Sequence, residues 1–159
     1  ERLRNSKPVT PAFLFAALLW QPVVERSKAL VEQGETEFNA VMKAAEEVIA
    51  TQTQSTAIPR RFSAVTRQIW VMQARLSRTS GKRWKRLLHE QRFRAAYDFL
   101  LLRALDDPSL EPLCAFWTTA QEGIDFSLIR YDSPDSAGEN RDAGRDRPRR
   151  RYRRRAAPK

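Results

Sequence analysis

A chain of 159 residues, 42% of them apolar, is long enough for one domain with a modest core. One Cys and one His exclude an internal disulfide and a zinc site of the usual kinds, and Cys114 without a partner fits a reducing compartment, hence the cytoplasm. The net charge of +10 is concentrated in one place. Residues 60–94 carry eleven Lys or Arg against the single acid Glu90, a sum of +10. Residues 1–59 sum to −1, residues 95–131 to −4 and residues 132–159 to +5. Charge segregated in this way attracts a polyanion, nucleic acid first among them.

Residues 1–9 read as an extended lead-in. The chain opens on Glu1 rather than Met, so it is expected to continue a longer protein from which an N-terminal part is missing. The apolar run Ala12–Trp20 resembles a secretory signal but is followed by no small-x-small cleavage pattern, and it is too short to span a bilayer. A buried helix is the better reading, and no membrane contact is expected. Thr10 and Pro11 have the chemistry of an N-cap and a first helical residue. The first helix is expected from Pro11 to about Gln21, apolar nearly all round, with Pro22 as its stop. A second runs from Pro22 to Glu32 and ends at Gly34. Thr36 caps a third, to about Gln54, with Phe38, Val41, Met42, Ala45, Val48 and Ile49 on its inward face.

Ile58-Pro59 opens the fourth helix. At 100° per residue Phe62, Val65, Ile69, Met72 and Leu76 share one face, and Arg60, Arg67 and Arg78 share the opposite one with Arg75 close by. Val71 breaks the pattern by falling among the arginines. Thr79-Ser80-Gly81 is a turn, and a short helix follows with Trp84, Leu87 and Leu88 inward. The sixth, from about Arg92 to Leu105, stripes Phe93, Ala96, Tyr97, Leu100, Leu101 and Ala104. Asp106-Asp107-Pro108 ends it, and Ser109 opens a last helix with Leu110, Leu113, Cys114 and Trp117 inward. No alternating run and no hairpin turn signals a strand. The fold class is therefore all-α: a body of six or seven helices over residues 10–125, then a basic tail over 126–159 that is expected to be disordered.

The residues give no catalytic constellation. There is no Gly-rich phosphate loop, and His89 stands at a helix junction as a surface or capping residue. Asp106-Asp107 reads as a helix-ending pair and Glu46-Glu47 as a solvated helix face, so no metal site is expected and no cofactor in this chain. The chemistry lies in the cations. On the folded part the candidate nucleic-acid contacts, to RNA or DNA, are Arg60, Arg61, Arg67, Arg75 and Arg78, continued by Lys82, Arg83, Lys85 and Arg86 and then by Arg92 and Arg94. In the tail, Arg149, Arg150 and Arg151 precede Tyr152, and Arg153, Arg154 and Arg155 follow it. Arginine forks a phosphate and stacks on bases, and Tyr152 can stack too. A localisation signal and a solubilising tail remain alternatives for that cluster.

Four blocks carry a resemblance: KPVTPAFLFAALLW (Lys7–Trp20), IPRRFSAVTRQIW (Ile58–Trp70), SGKRWKRLL (Ser80–Leu88) and RFRAAYDFLLLRA (Arg92–Ala104). In order and spacing they resemble the C-terminal half of the bacterial poly(A) polymerase I family, of the nucleotidyltransferase superfamily shared with the CCA-adding enzymes. The arginine-rich end resembles that family's tail. Relatives tend to have His-Pro before the Phe-Arg-Ala-Ala-Tyr-Asp block, whereas this chain has His89-Glu90-Gln91-Arg92. The resemblance implies an RNA-guiding region of an enzyme that adds AMP from ATP to RNA 3′ ends. ATP and Mg²⁺ would be held by carboxylates after a Gly-Ser motif in a catalytic head. This chain has neither, so alone it is expected to be inactive. The implied partners are single-stranded RNA, the catalytic N-terminal domain and the RNA-decay machinery. The corresponding region of a CCA-adding enzyme and a stand-alone RNA-binding protein are the alternatives.

Overall fold

The structure, a computed structural model of the chain, describes residues 9–124. The lead-in before Val9 and the tail with its arginine clusters lie outside the described residues. Those residues form seven α-helices and one 3-10 turn, with no strand among them. In chain order they are α1 (Pro11–Leu18), α2 (Trp20–Glu32), α3 (Glu37–Ser55), α4 (Arg60–Leu76), α5 (Trp84–Leu87), α6 (Phe93–Arg103), the turn Pro108–Leu110, and α7 (Glu111–Ala120).

Local chemistry sets most of the ends. The Thr10 hydroxyl oxygen accepts from the Phe13 N–H at 3.4 Å, with Pro11 at the first helical position. The Thr36 oxygen does the same for the Asn39 N–H. At the end of α2 the Gly34 N–H donates to Val31 O and the Glu35 N–H to Leu30 O, a Schellman closure that needs the positive φ of +94° at Gly34. Pro22 does not stop the first helix. The chain bends at Leu19, and Pro22 sits in the first turn of α2, where its absent N–H would have had no partner anyway. Nor is α1 buried all round, since Leu14 is 51% exposed and Leu18 76%, while Ala12, Phe13 and Ala16 face inward.

Helix α4 is the centre, packed against α1, α3 and α6. Its predicted stripe of Phe62, Val65, Ile69, Met72 and Leu76 is buried throughout. A second arc is buried as well, because α4 is enclosed on more than one side. The Thr66 hydroxyl donates to Ala12 O at 2.9 Å, the Trp70 indole N–H to Ala16 O at 3.0 Å, and the Gln73 amide to Ala96 O at 2.9 Å. These three polar side chains fix the seats of α1 and α6 on α4.

One predicted face is shifted and another is widened. In α3 the buried residues are Ala40, Ala44 and Ala45, with Val41, Val48 and Ile49 half-buried and Met42 exposed. Small side chains let α3 lie close between α2 and α4, since interhelix distance follows the residues at the contact. In α6 Leu101 is 39% exposed, whereas Phe99 is buried. Phe99 meets Phe13 and Trp20 edge-on, at centroid distances of 6.1 and 5.4 Å, so α6 buries a second face toward α1. The rest of its stripe, from Phe93 to Leu100, packs with Leu87, Leu88, Cys114 and Trp117 in a second core. The Trp117 indole N–H donates to Leu76 O at 3.0 Å and ties α7 to the end of α4. Asp107, read as ending α6, opens the next element: its carboxylate accepts from both the N–H and the hydroxyl of Ser109.

Candidate nucleic-acid interface

The basic segment covers α4, the turn after it, α5 and the start of α6. Arg60 and Arg61 occupy the first two positions of α4, where there is no side-chain cap and no acid in the first turn. A helix N-terminus carries partial positive charge, so two cations there oppose the helix by a few tenths of a kcal/mol each, on the order of the usual dipole term. Both side chains are exposed, and Arg61 lies over the Phe62 ring at 4.8 Å.

Further along, the fold compensates the predicted cations. Arg67 donates to Glu46 of α3 at 3.3 Å. Arg75 forms a two-pronged pair with Glu90. That acid occupies the turn between α5 and α6. Arg92 donates to Gln68 at 3.1 Å, and Arg94 donates to Gln121 at 2.7 Å with Asp98 at 3.8 Å. A groove of about 490 Å³ runs along this side of α4. Arg67, Arg75 and Arg92 line it together with Glu46 and Glu90, so its signs are mixed. Val71, the residue out of pattern, lines the same groove among the arginines.

The surface changes beyond the last turn of α4. Arg78, Lys82 and Arg83 surround a second groove of about 640 Å³, with Phe38 and Trp84 as aromatic walls and Leu87 beneath. No acidic side chain among the described residues lines it. Gly81 turns the chain there with φ +74°. The Arg78 guanidinium lies 6.0 Å from the Phe38 ring centre, and the Lys85 ammonium 5.7 Å from that of Trp84. Trp84 is held edge-on by Phe116 and Trp117, at 5.2 and 6.1 Å. Arg75 lines both grooves, so the two adjoin. Lys85 and Arg86 are exposed on α5, and His89 is exposed in the turn after it.

One cation was invisible to the charge count. Arg103 lies in a flank of net negative charge, yet its guanidinium stacks over Trp20 at 4.7 Å and donates to Gln73 at 3.0 Å. Burial pushes its pKa down, opposed by the field of Asp107. An Arg inside the apolar run Phe99–Leu105 was the available signal. Among the described residues no three His, Cys, Asp or Glu are grouped to hold a metal, and no helix is long and apolar enough to cross a membrane.

Residues 33–156 match the family described as the polymerase A arginine-rich C-terminus. The chain belongs to this family. It is 40% identical over 123 residues to Poly(A) polymerase I of Salmonella typhi, covering 76% of this chain and 26% of that protein. To Poly(A) polymerase I of Escherichia coli it is 45% identical over 104 residues, 65% of this chain and 22% of the relative. To that of Haemophilus influenzae it is 36% identical over 105 residues, 65% of this chain and 23% of the relative. The chain thus spans about a quarter of the length of these relatives. The region matched to the polymerase A family takes in both grooves and the arginine clusters on either side of Tyr152.

Proposed function

We propose that this chain is the RNA-holding part of a poly(A) polymerase, keeping a single strand on the enzyme while a catalytic part elsewhere adds AMP to its 3′ end in the cytoplasm. The observation that carries the reading is the division of the basic segment. Arg67 and Arg75 are matched by acids, whereas Arg78, Lys82 and Arg83 converge on a groove with no acid among the described residues in its walls. Uncompensated, exposed cations are what a phosphate backbone meets. Among the described residues the grooves are lined mainly by cations, amides and apolar side chains, so the reading predicts affinity with little sequence preference. Transfer of AMP, with its ATP and Mg²⁺, is assigned to the three quarters of the relatives' length that this chain does not span. The tail arginines and Tyr152 would add a second, looser contact.

Titration of a fluorescent single-stranded RNA with the full chain, at several salt concentrations, tests this. About four phosphate contacts give a slope of log K on log salt near −2.8, at about −0.7 per contact for a single strand. Deleting residues 132–159 should make the slope less negative and weaken all sequences alike. A chain that fails to bind RNA at low salt, or binds with no salt dependence, would show that the basic surface serves another partner.

A further inference from the structure

We infer that the groove between Phe38 and Trp84 is a nucleotide subsite that seats one base and its adjoining phosphates from a single RNA strand. The inference rests on the RNA-holding reading above and adds where the strand is gripped, and by what. Three features meet there. The first is charge: Arg78, Lys82 and Arg83 border the groove, no acid among the described residues lines it, and Glu90, paired to the Arg75 that also lines it, is already engaged. The neighbouring groove has cations too, but Glu46 and Glu90 stand among them and would repel a phosphate. The second is aromatic surface. Phe38 and Trp84 are both half-buried and both line the groove, and any base can stack on such a ring. Trp84 is braced from behind by Phe116 and Trp117, so little ordering remains to be done when a base arrives. The third is size. About 640 Å³ lies within the range of pockets that hold small organic ligands and is open enough for a strand to enter and leave. The arrangement gives phosphate contact plus sequence-tolerant stacking, which suits a strand that must be held without being read.

The test uses the full chain and two probes of equal length, oligo(A) and an abasic strand with the same phosphates. Lys82→Glu with Arg83→Glu changes two exposed side chains. It should lower oligo(A) affinity at least about tenfold and reduce the magnitude of the salt slope by about 1.4, two contacts at about 0.7 each. Arg67→Gln, in the mixed groove, should change affinity less than about twofold. Phe38→Leu keeps apolar bulk and loses the ring. It should weaken oligo(A) several-fold and leave the abasic strand unchanged. Wild-type affinity in the Lys82/Arg83 variant, in a chain that still binds RNA, would overturn the groove while leaving the RNA-holding reading intact. Equal weakening of both probes by Phe38→Leu would overturn the stacked base. Absence of RNA binding by the unaltered chain would overturn the broader reading, and the subsite with it.

Discussion

Gln73 and Arg103 should behave as one energetic unit. Gln73 is 3% exposed, and its amide works in three directions. It donates to Ala96 O at 2.9 Å and Ile69 O at 3.3 Å, and its oxygen accepts from Arg103 at 3.0 Å. Gln73→Leu removes all three bonds at similar volume. The two carbonyls lose little, because each lies inside a helix and keeps its backbone partner. The cost falls on Arg103, a partly desolvated cation left with the Trp20 ring and the field of Asp107. A hydrogen bond to a charged group contributes about 1.5–3 kcal/mol, and the added apolar surface returns part of it. We expect a net loss of about 2 kcal/mol. Arg103→Met should cost about 1–3 kcal/mol, because it orphans a buried amide oxygen and strips the Trp20 face. In the double variant neither partner is left stranded, so its loss should fall short of the sum of the two by about 1–2 kcal/mol. Urea unfolding of the four proteins, with unchanged m values, measures this. Losses that add within about 0.5 kcal/mol would refute the coupling and reduce Arg103 to a packing residue.

Three further outcomes are expected. Glu90→Gln should free Arg75 and make the RNA salt slope more negative by about 0.7, one phosphate's worth; an unchanged slope would mean that Arg75 stays out of reach of RNA. Phe99→Ala should cost about 3–5 kcal/mol in urea unfolding, and Leu101→Ala about 1 kcal/mol or less, because only the former is enclosed. Cys114 is buried and burial pushes its thiol pKa up, so it should resist a disulfide-exchange reagent near neutral pH in the folded chain and react at once in denaturant.

The apolar stripe of α4 was legible because five large side chains repeat at helical spacing and all five are buried. The same arithmetic placed most of the α6 stripe but took Leu101 for core and missed Phe99, and in α3 it put Met42 inward. It weights large side chains, whereas α3 is buried through alanines and α6 turns a second face, with Phe99, toward α1. The segregated charge was legible as a sum, and the sum hid its own structure. Glu46 and Glu90 lie 21 and 15 positions from the arginines they meet, which only tertiary packing brings together. A lone acid in a stretch of +10 looked negligible, and it neutralises the arginine that stands between the two grooves. Phe38 was assigned to the core by period. Its role as a groove wall depends on where the turn after α4 sets Arg78, which no local pattern encodes.

The spacing of the uncompensated cations makes one more argument. Arg60 and Arg61 open α4, and Arg78, Lys82 and Arg83 lie past its end. The 17 residues of α4 span about 25 Å, at about 1.5 Å of rise per residue, and set these groups that far apart. Between them run Arg67 and Arg75, each held by a glutamate. A strand crossing that interval gains nothing from those arginines unless it displaces carboxylates already in place, an exchange of one anion for another. Two contact points joined by a quiet stretch then act as linked sites: the second adds affinity only when the strand is long enough to reach it. Oligo(A) of increasing length, titrated against the chain lacking residues 132–159, should therefore show affinity and salt slope rising in two steps with a plateau between. Arg60→Glu with Arg61→Glu should abolish the second step and spare the first. A smooth rise with every added nucleotide would show instead that RNA displaces Glu46 and Glu90 and runs in continuous contact along α4.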